Sequence, residues 1–268
     1  MFFKKYLLNG LILVCSLLFM LWPSLMTVSS SQTNFILLFL LLLMKKYPDT
    51  KRAGIFLALA MFTKPYMIIF GLYFLVRMKW KPIIYFIFSA LVLVGITIGI
   101  FGTAPFFDYI YNNPVQRLPK YVFLESAYQS LFAVLTRSNI ITPENPLTYL
   151  YIVSAIILLT LSYLLYLAKK KMNDFIWATL LLVGLLIYPG MLYHYGVLLL
   201  FIIYQFFDSD SSLALNRYVN ICIVGIFYFL STFSLFSSIL FLLILLIYKS
   251  LIPIKRGIPI IDKAILIQ

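Results

Sequence analysis

Charged side chains are what this sequence has least of. They make up 11% of its 268 residues, only eight of them acidic, against 63% hydrophobic and 18% aromatic residues. A soluble domain carries about 25% charged and about 45–50% apolar residues, so the deficit excludes an ordinary water-soluble fold. With a mean hydropathy of +1.03, the chain reads as an all-α, polytopic integral membrane protein whose solvent is lipid.

Two further shortages narrow the chemistry. The single histidine, His194, has no carboxylate or cysteine beside it, so no metal site is expected. The two cysteines, Cys15 and Cys222, both lie inside apolar runs and read as small core residues rather than a disulfide or a metal pair. Glycine-rich phosphate loops, zinc motifs, nucleophile elbows and internal repeats are absent, and no cofactor is implied. The net charge of +13 raises nucleic acid as a partner. No basic patch interleaved with aromatics occurs on a soluble segment, however, which speaks against that partner.

What the sequence does contain is a series of apolar runs, near 6–28, 35–44, 53–63, 66–76, 83–101, 147–168, 174–190, 193–207, 217–234 and 236–249, within a single transmembrane domain covering 1–268. The first run follows "MFFKK" and ends near "TVSSS", as a signal peptide does. Its apolar stretch of about 20 residues exceeds the about 7–15 of a signal peptide, and it reads as an uncleaved span. With a cytoplasmic N-terminus, every lysine and arginine except Lys64, Arg117, Lys120 and Arg137 falls in a cytoplasmic connection, as the positive-inside rule requires. The expected location is the cell membrane, multi-pass, with 102–146 as an external loop.

The 35–44 and 53–63 runs reach only about halfway across a hydrocarbon core of about 30 Å. Short and broken segments are tolerated where protein covers them or where they line a wet cavity, and they point to an intramembrane binding site. On this topology "SSSQTN" (29–34), "TKP" (63–65), the 102–146 loop and "YPGMLYHY" (188–195) share the outer side. A lysine near mid-membrane costs about 2.5–3.5 kcal/mol. Lys64 is either a cation awaiting a phosphate in an outward cleft, beside carbonyls freed by Pro65, or a side chain snorkelling to the surface. Gln32 and Asn34 either cap a helix or hydrogen-bond sugar hydroxyls. His194 is either a phosphate-binding donor or an interfacial residue. The stretch "ESAYQSLFAVLTR" (125–137) reads as an interfacial amphipathic helix, with Leu131, Val134 and Leu135 on its apolar side and Gln129, Ser130 and Arg137 available to the cleft. The external acids are Asp108, Glu125 and Glu144.

Taken in order, four stretches resemble glycosyltransferase family 87 of the GT-C superfamily. "SSSQTNFILLFLLLL" is similar to the family's Gly-Gln-x-Asn stretch, with Ser31 at the glycine. "AGIFLALAMFTKPYMIIFGLYFLVRMKWKPI" is similar to its Lys-Pro break and Arg/Trp-rich turn. "AYQSLFAVLTR" resembles its Asn-x-Ser segment, with Tyr128 at the asparagine. "YPGMLYHYGVLLL" resembles its Ser-Trp-x-His-His segment, keeping Tyr193 and His194.

The resemblance implies a GT-C-like helical bundle with short broken helices. Its activity would be hexosyl or mannosyl transfer, with inversion, from a polyprenyl-phosphate sugar to an extracytoplasmic lipid or glycan acceptor. Lys64, Arg117, Arg137 and His194 would then hold the donor phosphate. Gln32, Asn34, Gln129, Ser130 and Tyr193 would contact sugar or acceptor, and membrane lipids would surround the whole. The family's catalytic aspartate, placed in the first external loop, has no counterpart in "VSSSQTN". Asp108 and Glu125 are the substitutes, and the expectation is an N-terminally incomplete chain, completed by a protein that carries the missing helices. The alternative is a non-catalytic subunit, carrier or flippase for a lipid-linked sugar, which needs no base.

Overall fold

The structure, a computed structural model, describes residues 32–104, 127–142, 146–207 and 234–251, together with Thr27, Phe107, Asp108, Glu125, Gly225, Ile226, Leu230 and Ser231. The expected spans 6–28 and 217–234 lie almost wholly outside the described residues, as do Ser31, Arg117, Lys120, Glu144 and the side chain of Tyr193.

Among the described residues the α-helices are, in chain order, α1 (Asn34–Lys46), α2 (Lys51–Thr63), α3 (Gly71–Val76), α4 (Trp80–Phe101), α5 (Leu131–Arg137), α6 (Pro146–Lys169), α7 (Asn173–Ile187), α8 (Leu200–Phe207) and α9 (Leu235–Leu251). Two 3-10 segments, Pro65–Phe70 and Tyr193–Leu199, run directly into α3 and α8. The fold is therefore all-α. Outside the helices one isolated antiparallel bridge pairs Tyr128 with Leu192. By length and composition α4 and residues 147–169 of α6 can each cross a membrane.

α7 forms the centre. Every residue from Phe175 to Leu186 is buried, as expected of a helix that is apolar on all faces. The Trp177 ring packs against Phe70 at 5.5 Å and Tyr73 at 4.5 Å between ring centroids, so α7 is keyed to the 65–76 segment. Gly184 lets that segment come close, since a Cβ there would lie 3.1 Å from Ile69 Cγ2. α4 is the opposite case. Its 22 residues are mostly apolar, with Lys81, Ser89 and Thr97 the exceptions, yet Pro82 alone among them is buried, so much of its apolar surface is left uncovered by the other described helices. It is held through α2, where the missing side chain of Gly54 brings the two backbones together. Small residues serve this purpose between membrane helices.

One end of the bundle is tied by charge. Lys45 Nζ, in the last turn of α1, lies 3.1 Å from Asp174 in the first turn of α7. Each charge there also complements its helix dipole. Lys79 pairs with Asp49 at 2.9 Å, and Arg77 Nη1 donates to the Ala168 carbonyl at 3.1 Å.

Two of the apolar runs are broken by proline. Pro65 excludes its predecessor from the helical region, and Lys64 is accordingly extended (φ −146°, ψ 113°), ending α2 at Thr63. Pro65 then opens the first 3-10 segment, where its missing N–H is no loss. Pro189 acts the same way on Tyr188 (φ −78°, ψ 114°), ending α7 at Ile187. The 193–207 run thus becomes a 3-10 turn followed by α8 rather than one helix.

Candidate functional site

The two proline breaks lie side by side, at the end of the bundle away from the Lys45–Asp174 and Lys79–Asp49 pairs. Each delivers tyrosines to the other. Tyr66, one residue past Pro65, has its ring 4.8 Å from Tyr188 and 6.0 Å from Tyr195, and Tyr188 lies 5.7 Å from Tyr195. The Tyr188 and Tyr195 side chains also hydrogen-bond to each other. The Tyr66 hydroxyl is buried with no hydrogen-bond partner.

Lys64 sits over this cluster. Its Nζ is 5.1 Å from the centroid of the Tyr195 ring, and its side chain is half-buried. No carboxylate among the described residues pairs with it. The His194 imidazole stacks on Tyr195 at 4.8 Å and 26°. The Lys64 charge and the His194 ring are near enough to interact electrostatically.

The backbone of His194 is fixed from the start of the chain. Its carbonyl accepts from Asn34 Nδ2 at 3.1 Å and from Thr27 Oγ1 at 2.9 Å. Asn34 is fully buried, and its Oδ1 has no partner. It occupies the first position inside α1 and does not cap that helix; Thr33 precedes it without a side-chain cap. Gln32, half-buried, donates its backbone N–H to the Thr27 carbonyl.

The chain before α5 closes over the same turn. The Gln129 N–H donates to the Met191 carbonyl at 2.9 Å, beside the Tyr128–Leu192 bridge. A turn at 125–128, closed by the Tyr128 N–H on the Glu125 carbonyl, leads into the bridge, Ser130 is extended, and the helix expected over 125–137 starts only at Leu131. Ser130 caps it, accepting the Ala133 N–H on its hydroxyl at 3.1 Å. The buried face of α5 is Phe132, Ala133 and Thr136, rather than Leu131, Val134 and Leu135. Gln129 and Ser130 are buried. Arg137 Nη1 donates to the carbonyls of Glu125 (3.0 Å) and Tyr128 (2.9 Å), tying α5 to the segment before it. Burial, and then the nearby Glu125 carboxylate, push the Tyr128 hydroxyl above its ordinary range. Glu125 and Asp108 are both exposed, Asp108 just beyond the end of α4.

A cavity of about 440 Å³ adjoins the break. Its lining includes Leu57, Tyr66, Ile69, Leu72, Phe86 and Ile187, so Tyr66 belongs both to the tyrosine cluster and to this apolar wall. Among the described residues no group of three His, Cys, Asp or Glu is placed to hold a metal ion.

Lys64, Asn34 and His194 thus come together, Gln129 reaches the same turn through its backbone bond to Met191, and Ser130 and Arg137 hold α5 and the segment before it. Tyr66, Tyr188, Tyr195 and Thr27 complete the site and were not among the residues singled out from sequence.

The described residues thus form an all-α bundle with two helices of membrane-crossing length and a half-buried lysine at a helix break, the architecture of an α-helical membrane protein. The model of Glycosyltransferase family 87 matches residues 7–194, and the chain belongs to that family. Neither a curated protein nor a solved structure matches the chain at a significant level.

Proposed function

We propose that this protein is a multi-pass membrane hexosyltransferase that takes its sugar, a mannose or a related hexose, from a polyprenyl-phosphate donor. It passes that sugar to a lipid or glycan acceptor on the extracytoplasmic side, with the N-terminus cytoplasmic. The observation that carries the reading is Lys64, a half-buried ammonium at a helix break that no carboxylate neutralises among the described residues, in a chain of a glycosyltransferase family. A positive charge in a low-dielectric setting interacts strongly with an anion that enters. The leaving phosphate of a polyprenyl-phosphate sugar is such an anion.

In the transfer, the bond between the sugar C1 and the phosphate oxygen breaks and its electron pair goes to that oxygen. Lys64 stabilises the charge that grows there, with the His194 ring as a second donor. The acceptor hydroxyl oxygen bonds to C1 from the opposite face, and its proton leaves to a carboxylate. Glu125 is the acid we assign to that proton, because Arg137 and Tyr128 anchor its backbone to the segment that bridges to Leu192. The polyprenyl tail occupies the apolar cavity beside Tyr66; three of its lining residues, Ile68, Leu75 and Ile87, are exposed. Arg117 and the Tyr193 side chain enter as further phosphate and sugar contacts on the family resemblance.

The test is transfer of labelled mannose from polyprenyl-phosphate mannose in proteoliposomes that hold the full chain and a membrane lipid extract as acceptor. Wild type is expected to label lipid or glycan, and Lys64→Gln to lose at least about 100-fold in rate, in line with removal of one electrostatic donor. A fully active Lys64→Gln variant overturns the reading.

A further inference from the structure

We infer that Tyr195 is a positioning residue for the donor phosphate: its ring face holds the Lys64 ammonium in place without cancelling its charge. The inference rests on the phosphate reading of Lys64. Lysine has a long, flexible stem, and a half-buried ammonium needs a partner. A carboxylate partner would fix the side chain but neutralise it, and an incoming phosphate would then have to break an ion pair. An aromatic face attracts the cation through the ring quadrupole and leaves its net charge intact. Lys64 Nζ lies 5.1 Å from the Tyr195 centroid, within the range of that attraction.

The ring is itself held on several sides. Tyr195 is 2% exposed. His194 stacks on it, and the tilted rings of Tyr188 and Tyr66 pack against it at 5.7 and 6.0 Å between centroids. Gly190 makes room for this arrangement, since a Cβ there would lie 3.1 Å from the Tyr188 hydroxyl. A rigid ring therefore supports a flexible cation, and the entropy of ordering the lysine is spent before ligand arrives. The hydroxyl of Tyr195 has no part in this. The π-face does.

The experiment uses the full chain in detergent micelles, with farnesyl phosphate as the probe ligand, and compares Tyr195→Phe, its ring-fluorinated analogues and Tyr195→Leu. Lysines are reductively methylated with a 13C label, and the Lys64 signal is assigned by its loss in Lys64→Arg. In wild type the Lys64 methyl resonance is expected upfield of the exposed lysines, because it sits over a ring, and farnesyl phosphate is expected to shift it. Tyr195→Phe keeps both the position and the affinity. Stepwise fluorination, which drains the ring quadrupole at nearly constant volume, weakens farnesyl phosphate binding in graded steps, to about three- to tenfold at the most fluorinated ring. Tyr195→Leu loses the upfield position.

Equal affinity across the fluorinated series overturns the role of Tyr195 while leaving the phosphate reading of Lys64 standing. Tighter binding as the ring is depleted also overturns it, since the ring would then compete with phosphate. A Lys64 resonance that is upfield but unmoved by farnesyl phosphate overturns the phosphate reading, and the positioning role with it. Should Tyr195→Leu fail to fold, the Phe and fluorinated series still decides.

Discussion

Adding one methyl group at Gly54 gives the sharpest mechanical test of the bundle. A Cβ at Gly54 would lie 2.1 Å from the Pro82 carbonyl oxygen and 2.7 Å from the Phe86 nitrogen, both backbone atoms of α4. No side-chain rotation relieves such a clash. Reaching an ordinary contact of about 3.4 Å requires α4 to move away from α2 by about 1.3 Å. A gap of that size forfeits about half of the dispersion well for each contact across the interface. Overpacking costs about 1–3 kcal/mol, and more against backbone, while Ala in place of Gly returns about 1 kcal/mol of helix propensity. Gly54→Ala is therefore expected to destabilise by about 2 kcal/mol, and Gly54→Val by more. Equilibrium unfolding in mixed micelles, driven by added SDS and read by the fluorescence of buried Trp177, measures it. Gly95→Ala, in α4 with nothing within 4 Å of the added Cβ, is the control and should be neutral or slightly stabilising. A Gly54→Ala midpoint indistinguishable from that of Gly95→Ala would refute the close approach of α2 and α4.

Asn34→Ala removes a buried bond to the His194 carbonyl and should cost about 1–2 kcal/mol in the same unfolding assay; Asn34→Asp, which also buries a charge, should cost more. Tyr149→Phe removes the 2.6 Å bond from the Tyr149 hydroxyl to the Ile187 carbonyl at the end of α7, with an expected loss of about 1 kcal/mol. Gly184→Ala meets side chains rather than backbone, the Ile69 Cγ2 methyl at 3.1 Å and the Tyr66 ring at 3.5 Å, so about 1 kcal/mol is expected, and Gly184→Val at least about 2 kcal/mol.

The all-α class and the two helix breaks were legible because their causes are local. Low charge specifies lipid as solvent, and proline acts on its own neighbour, as at Lys64 and Tyr188. The candidate site was legible where a residue stood out against its run. A lone lysine and a lone histidine in apolar surroundings are conspicuous. Tyr66, Tyr188 and Tyr195 are not, because the chain holds 20 tyrosines and only the meeting of two breaks distinguishes these three. The non-helical form of residues 127–130 was missed for a related reason. Nothing local in Ala127, Tyr128, Gln129 or Ser130 breaks a helix; Met191 and Leu192, more than 60 residues away, offer backbone partners instead.

Because α7 is apolar round its whole circumference, greasiness gives it no preferred side, and a turn of about 100° about its axis would bury it equally well. Only shape chooses: the groove at Gly184 that admits Ile69, and the Trp177 plate between Phe70 and Tyr73. The instruction to enter the membrane and the instruction for how to face within it are thus written in different alphabets, one of hydropathy and one of volume. Substitutions that keep the first and scramble the second would leave a protein that inserts normally, carries every one of its site residues, and presents Tyr188 to the wrong neighbour.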